Sequence, residues 1–210
     1  MASMTRITEQ RKMSKWEWTV LVALILAFLC SSLAGFAQDC DQIRGNTLRL
    51  HVIANSDSEK DQSLKLKVRD RILEEEGALL GDAGSRDDAI LLASRQLNEI
   101  EAIARTCLEE NGCVLPVEAR ITQQWFNTRT YGELTLPAGQ YEALQVRIGE
   151  AKGQNWWCVL FPPFCLPAAR SKADAEEAFQ EAAKVVESDP QYEVRFALLE
   201  WLEKIVRHFQ

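Results

Sequence analysis

Alternation of apolar and polar side chains predicts the strands of this chain. Residues 48–53 (LRLHVI) place large apolar side chains at every second position, which is the period of a half-buried strand. Further runs of strand-like character are separated by turn residues, and they occupy positions 114–126, 141–149 and 155–161. Gly149 ends the run at 141–149 and Gly153 precedes the run at 155–161, so we expect those two strands to form a hairpin.

A longer periodicity predicts two helices. The stretch after Ser58 repeats an apolar residue at every fourth position and ends near Gly77, and Ser58 and Asp61 stand at the spacing of a capping pair. A second helix is predicted over 86–110, where an Asn-Gly pair follows. We therefore expect an α+β fold, with a small, mostly antiparallel sheet, two long amphipathic helices packed on it and a helical C-terminal segment.

The C-terminal segment changes in texture after Pro167. Residues 172–187 are rich in Ala and Glu, as in a solvated helical spacer. A short strand and an amphipathic helix are predicted to close the chain, and the apolar stripe of that helix consists of Leu198, Leu202, Ile205 and Phe209. We expect the stripe to dock on the domain's own sheet, and a membrane-seeking face is the alternative.

The first 37 residues have the pattern of a secretory signal peptide. Basic residues precede an apolar run, Val20–Cys30, and small residues follow it, which suits cleavage near Ala37. The alternative is an uncleaved membrane anchor, because the apolar stretch approaches the length of a bilayer span when it is extended from Trp16 to Phe36.

Composition indicates one globular domain, since 47% of the 210 residues are hydrophobic and 26% are charged. The predicted segments are a signal peptide, a linker, the α+β domain, the spacer and the closing strand and helix, at 1–37, 38–46, 47–166, 167–190 and 191–210. The formal net charge is −7, and the chain without residues 1–37 carries 20 basic and 29 acidic side chains, a net −9. Such an acidic domain neutralises phosphates poorly, which excludes nucleic acid as a partner.

Five cysteines follow the predicted signal peptide. An exported chain enters an oxidising compartment, where cysteines commonly pair as disulfides. Spacing favours a bridge between Cys158 and Cys165, a bridge between Cys107 and Cys113 is a weaker alternative, and Cys40 has no predicted partner. No Cys-x-x-Cys motif occurs and both histidines lie far from these cysteines in sequence, so we predict no metal and no cofactor.

Catalytic motifs are not recognisable in this sequence. The nucleophile elbow, the zinc-protease helix, the phosphate-binding loop and the aspartic-protease triplet are all missing from it. Asp57 and Asp61 could form an acid/base pair, as in a secreted cell-wall hydrolase, but helix capping accounts for Ser58 and Asp61 more simply. We therefore predict that the protein is not an enzyme.

The aromatic segment GQNWWCVLFPPFC at 153–165 is the strongest candidate for a contact surface. In an extended strand Trp156 and Trp157 point to opposite faces, so we expect one to be buried and the other to meet a partner. Trp and Tyr are frequent interface anchors, and polar turns on rigid scaffolds often carry recognition residues. The predicted partner-binding residues are Asn55, Ser56, Asp57, Tyr131, Tyr141, Asn155, Trp156 and Trp157.

Four long motifs together resemble the stage II sporulation protein R family. They are LRLHVIANSDSEKDQSLKLKVRDRIL, YGELTLPAGQYEALQVRIG, GQNWWCVLFPPFC and the closing VRFALLEWL, in that order behind an export signal. The resemblance covers about residues 47–166 and the final twenty, and 167–190 matches only as a variable spacer.

This resemblance implies a non-enzymatic signal of endospore-forming bacteria. Members are made in the forespore and exported into the space between the two forespore membranes. There they trigger a membrane-embedded aspartic protease of the mother cell, which cleaves the precursor of sigma-E. Membrane contact is expected through the signal segment, with the C-terminal helix as an alternative route. A secreted carboxylate-dependent hydrolase and a membrane-anchored scaffold are the competing functions.

Overall fold

The computed structural model describes residues 14–75, 83–131 and 134–162. The helices of this part are α1 (Lys15–Gly45), α2 (Glu59–Glu75), α3 (Arg86–Arg95) and α4 (Leu97–Glu110). The strands are β1 (Leu48–Ile53), β2 (Val117–Phe126), β3 (Arg129–Tyr131), β4 (Leu134–Leu136), β5 (Gly139–Ile148) and β6 (Asn155–Phe161). The predicted spacer and the closing strand and helix lie outside the described residues and stay predictions.

Four strands form a mixed sheet in the order β2-β5-β1-β6. The central pair is parallel, with Leu50 of β1 opposite Leu144 of β5. Both outer pairs are antiparallel, and Leu50 lies opposite Cys158 of β6. Strands β3 and β4 form a separate two-stranded ladder. The predicted α+β class is confirmed, with a parallel pair at the centre of the sheet.

One face of the sheet packs against α2, α3 and α4. The core there contains alternate residues of β1 and the inward stripe of α2, namely Leu48, Leu50, Val52, Leu64, Val68 and Ile72. Side chains at positions i, i+4 and i+8 share one side of a helix, so the periodicity seen in the sequence is the face that α2 buries. Ala89, Ala93, Ile100, Ala104 and Leu108 complete this layer from α3 and α4.

The predicted hairpin between the last two strands is wrong. Strand β1 lies between β5 and β6 and pairs with both. Its residues Leu48, Leu50 and Val52 are fully buried. The backbone groups of a buried strand need hydrogen-bond partners, which a neighbouring strand on each side provides. The loop at 149–154 therefore crosses the end of β1 and does not close a tight turn.

Two other features differ from the predictions. The helix expected over 86–110 is interrupted at Gln96, which has φ −102° and ψ 7° and ends α3 just before α4 begins. The short β3–β4 ladder was not predicted, because three-residue strands are too short to show an alternation.

Helix α1 runs without interruption from Lys15 to Gly45 and therefore passes through Ala37. Among the described residues it is the one helix long and apolar enough to cross a membrane. This length and composition are compatible with the predicted signal segment. Cleavage near Ala37 stays a prediction.

Candidate partner-binding surface

The turn between β1 and α2 is fixed by one carboxylate. Asp61 Oδ2 accepts hydrogen bonds from Ser56 Oγ at 2.6 Å and from Asn55 Nδ2 at 2.8 Å. The backbone N–H of Asp61 donates to Ser58 Oγ at 3.2 Å, which is the N-cap contact that the sequence predicted. The hydrogen bonds from Ser56 and Asn55 lower the pKa of Asp61 below its ordinary 3.8. Three side chains of the turn are thereby held at the start of α2.

The same turn holds the loop between β5 and β6. Asn55 Oδ1 accepts from the backbone N–H of Glu150 at 3.0 Å, and Asp57 Oδ1 accepts from that of Gln154 at 2.7 Å. The backbone N–H of Lys152 donates to the Asn55 carbonyl at 3.2 Å. The two loops, at 54–58 and 149–154, are therefore one connected unit beyond the carboxyl ends of β1 and β5.

Two glycines permit this close approach of the loops. Gly149 has a φ of +58°, and a Cβ there would overlap with the Asn55 side chain. A Cβ on Gly153 would overlap with the backbone carbonyl of Ser56. The two glycines that suggested a hairpin are thus required because another loop packs against them.

Lys65 of α2 is hydrogen-bonded to the loop unit. Only 4% of its surface is exposed, and its Nζ donates to Gln62 Oε1 at 2.6 Å and to the Gln154 carbonyl at 3.0 Å. Burial lowers the pKa of Lys65, and the nearby Asp57 carboxylate opposes that shift. Sequence reasoning missed this residue, because a lysine in an amphipathic helix is ordinarily solvated.

Trp156 is the large exposed aromatic group beside this loop unit. It is 37% exposed, and the Arg69 guanidinium carbon lies 4.1 Å from the centre of its ring. A cation at this distance over an indole face is attracted by the ring quadrupole. Asp57 and Gln154 are also exposed here, whereas the side chain of Asn155 shares the opposite face of β6 with Trp157 and hydrogen-bonds to His51. We call Asp57, Gln154, Trp156 and Arg69 the loop–Trp surface.

Trp157 faces the other side of the sheet. Its ring is half-buried and lies 5.6 Å from Phe126 and 6.0 Å from His51, measured between ring centres, and the Arg129 guanidinium carbon lies 4.8 Å away. The predicted opposite orientation of the two tryptophans is present in the structure. Trp157 is the more buried of the two.

The predicted contact residue Tyr141 is buried. Only 1% of its surface is exposed, its hydroxyl donates to the Pro137 carbonyl at 2.6 Å, and its ring packs edge-on against Phe126. A partner could not reach it without opening the core, so Tyr141 is removed from the predicted contact residues. For Tyr131 the structure gives the backbone of β3, and its role as a contact stays a prediction.

Asp57 and Asp61 both act as hydrogen-bond acceptors within the fold. Each carboxylate accepts hydrogen bonds that hold a turn, as described above. Across the described residues no group of three or more metal-ligating side chains is close enough to bind an ion. The arrangement at this end of the sheet is that of a rigid polar rim beside an exposed aromatic ring.

The sequence of the chain matches a known protein family. A profile of the family described as stage II sporulation protein R matches residues 44–171. The chain belongs to this family. It is 31% identical to the protein named stage II sporulation protein R in Bacillus subtilis (strain 168), over 89% of this chain and 98% of that protein. No solved structure matched the chain. Membership of the stage II sporulation protein R family supports a role in sporulation.

The matched range of the sporulation family contains the whole loop–Trp surface. It begins at Arg44, in the last turn of α1, and extends past the end of β6. Both loops and the strand that carries the tryptophans therefore belong to the part of the chain that the family profile describes.

A buried polar layer lies on the second face of the sheet, away from this surface. His51 Nδ1 lies 2.7 Å from Gln124 Oε1 and 3.2 Å from Gln145 Nε2. Burial lowers the pKa of His51 below its ordinary 6.5. The Arg49 guanidinium carbon lies 4.3 Å from the Phe126 ring centre. The charged and aromatic groups here stabilise a core that alternation alone would have assigned to solvent.

The cysteines divide into bonded and free groups. Cys158 is disulfide-bonded, whereas Cys107 and Cys113 carry free thiols. The weaker predicted bridge, between Cys107 and Cys113, is therefore absent. Cys165 lies outside the described residues, so its bond to Cys158 stays a prediction, which alkylation and peptide mass spectrometry of the exported protein would test.

Proposed function

We propose that this protein is an exported, non-enzymatic signal of endospore formation. In this proposal the chain leaves the forespore, enters the space between the two forespore membranes and activates a membrane-embedded aspartic protease of the mother cell. The activated protease then cleaves the sigma-E precursor. Family membership supports the sporulation role, and the protease and the sigma factor are what the family resemblance implies.

The loop–Trp surface is the observation that carries the proposal. Its two loops are joined by four hydrogen bonds, which backbone N–H groups of the 149–154 loop donate to side-chain and backbone oxygens of the 54–58 turn; the donors are Glu150, Lys152, Gly153 and Gln154. A surface that is already rigid loses little conformational entropy when it binds. An exposed indole next to a polar rim also matches the usual composition of an interface anchor.

The competing hydrolase would use Asp57 and Asp61 as its acid/base pair. A hydrolytic acid/base pair needs two carboxyl groups directed at one substrate position. Asp57 and Asp61 instead accept hydrogen bonds from Gln154 and from Ser56 and Asn55 respectively. These contacts use the carboxylates as fixed acceptors within the fold.

Co-expression with the protease and the sigma-factor precursor tests the proposal. The chain should increase precursor cleavage, and replacement of residues 1–37 by a start that keeps the chain in the cytoplasm should abolish that increase. Immunoblotting of the precursor gives the measurement, and thermal unfolding of the purified cytoplasmic form shows whether its domain is folded. Equal cleavage with and without the chain, or full cleavage with the cytoplasmic form, would refute the proposal.

A further inference from the structure

We propose that α1 is retained after export as a membrane anchor that enters the folded domain without a flexible linker. This anchor would determine how the signal is presented to its partner, and in that respect the inference rests on the proposed function. Retention of the helix itself is a physical property that can be measured without the protease.

The first half of α1 exposes an apolar surface that water does not favour. Nine of the twelve exposed large hydrophobic side chains in the described residues lie on this helix, among them Trp16, Leu24, Ile25 and Phe28. Phe28 is 73% exposed and Leu24 is 64% exposed. Apolar groups on all sides of a helix are typical of a segment surrounded by lipid.

The dimensions of this half fit a bilayer. Trp16 to Gly35 is 20 residues, and at about 1.5 Å per residue it spans about 30 Å, the thickness of a hydrocarbon core. Trp16 and Trp18 lie at its start, where tryptophans favour the lipid–water boundary. Glu17 folds back to accept a hydrogen bond from the Ser14 N–H at 2.7 Å, which keeps its charge at that boundary.

Charge gives the orientation of the helix. Arg6, Arg11, Lys12 and Lys15 all precede the apolar stretch. Basic residues beside a membrane span remain on the cytoplasmic side. The domain that follows α1 is therefore on the exported side, as the proposed function requires.

The second half of α1 is part of the folded domain. Phe36, Cys40 and Ile43 are buried, with 3%, 0% and 0% of their surfaces exposed, and their spacing places them on one side of the helix. Arg44 Nε donates to the Ala138 carbonyl at 2.8 Å. A Cβ at Gly139 would overlap with the Arg44 side chain. The helix is therefore fixed to the start of β5.

The predicted cleavage site lies inside this docked region. Ala37 is helical and directly follows the buried Phe36. A protease needs its substrate segment opened from the fold before it can cut. Cleavage of the folded protein would require α1 to unwind around Ala37 and Phe36 to leave its buried position.

The anchor and the loop–Trp surface lie at opposite ends of the same parallel strands. α1 leads into the first residue of β1 and contacts the start of β5, whereas the surface follows the last residues of both strands. Six residues of β1 at about 3.3 Å each separate the two by about 20 Å along the strand. A retained helix would therefore confine this surface to the membrane and raise its effective concentration for a membrane-embedded partner.

The mass and the fractionation of the exported full-length chain test the anchor directly. A C-terminally tagged protein is exported from a bacterium that lacks the protease, and its intact mass and resistance to alkaline carbonate extraction are measured. The proposal expects an uncleaved chain in the carbonate-resistant membrane fraction. A soluble chain that begins near Gln38 would overturn it, and so would an uncleaved chain that carbonate releases.

A matched pair of substitutions tests the docking of the helix. Phe36→Ala removes a buried ring, whereas Phe28→Ala removes an exposed ring from the same helix. In detergent, Phe36→Ala should lower the Tm of the domain by about 10 °C or more, and Phe28→Ala by no more than about 2 °C. Equal effects of the two substitutions would overturn the docking. If the helix is retained and docked but the sigma-factor precursor is not cleaved, the proposed function fails and the anchor stands.

Discussion

Substitution of the two tryptophans separates stability from signalling more sharply than any other change. Trp157 packs against Phe126 and His51 on the second face of the sheet, opposite the helices. Truncation of a large buried aromatic costs about 3–5 kcal/mol, and because Trp157 is only half-buried we expect the free energy of unfolding to fall by about 3 kcal/mol for Trp157→Ala. That is a large share of an ordinary domain's stability.

Trp156→Ala should lower the free energy of unfolding by less, because the ring is 37% exposed and packs against the Arg69 guanidinium. Loss of a partly exposed cation–π contact costs about 0.5–1 kcal/mol, and with the lost apolar contact the total is about 1–2 kcal/mol. If Trp156 anchors the partner, its removal should weaken binding by about 2 kcal/mol or more, which is about thirtyfold.

The assay compares urea unfolding of each purified variant with precursor cleavage in the co-expression system. Leu91→Ala is the matched control, since Leu91 is 50% exposed and lies on α3, which contributes no residue to the loop–Trp surface. Trp156→Ala should remain folded and lose signalling, while Leu91→Ala should retain both. The reasoning fails if Trp156→Ala signals normally, or if the loss of signalling in every variant simply follows the loss of stability.

Three further predictions concern the loops and the polar layer. Asp57→Ala and Ser58→Ala should each lower the free energy of unfolding by about 1 kcal/mol. Only Asp57→Ala, which releases the Gln154 N–H, should abolish precursor cleavage. Equal cleavage with both variants would assign Asp57 a purely structural role. Gly149→Ala and Gly112→Ala both place Ala at a positive φ, of 58° and 68°, but only at Gly149 would the added Cβ overlap with another side chain, that of Asn55. The urea midpoint should therefore fall further for Gly149→Ala. Equal decreases would argue against the close approach of the loops. Burial lowers the pKa of His51 from 6.5, so its contribution to stability is complete above that pH and is lost as the pH falls through the folded pKa. His51→Gln should therefore flatten the urea-midpoint profile below pH 6.5, and an unchanged slope would contradict this.

Local patterns located the four strands of the mixed sheet but did not give their order. Strands β1 and β6 begin and end at the residues that the sequence predicted, because alternation is a property of consecutive residues. The insertion of β1 between β5 and β6 depends on contacts between residues about 100 positions apart, such as Leu50 with Cys158. No local pattern contains that information, and the two loop glycines are compatible with either arrangement.

The candidate surface was also only partly predictable. The polar turn at 55–57 and the adjacent Trp156 were identified from residue type, and the structure brings them to one end of the sheet. Arg69 and Lys65 were missed, because their contacts with Trp156 and Gln154 exist only after α2 packs against the sheet. Tyr141 was chosen for its ring alone, and its hydrogen bond to Pro137 shows that the ring is needed inside.

The geometry changes what a loss of signalling at the turn would mean. The side chains of Asn55 and Ser56 donate hydrogen bonds to Asp61, and Asn55 Oδ1 also accepts one from the Glu150 N–H. Substitutions there would act on a partner through the position of the 149–154 loop, and so they should impair Trp156 and Asp57 together. A partner that touched Asn55 or Ser56 directly would have to compete with these internal hydrogen bonds, at a cost of about 1 kcal/mol for each one broken. Trp156 has Arg69 over its ring but remains 37% exposed, and for that reason it is the stronger candidate for the direct contact.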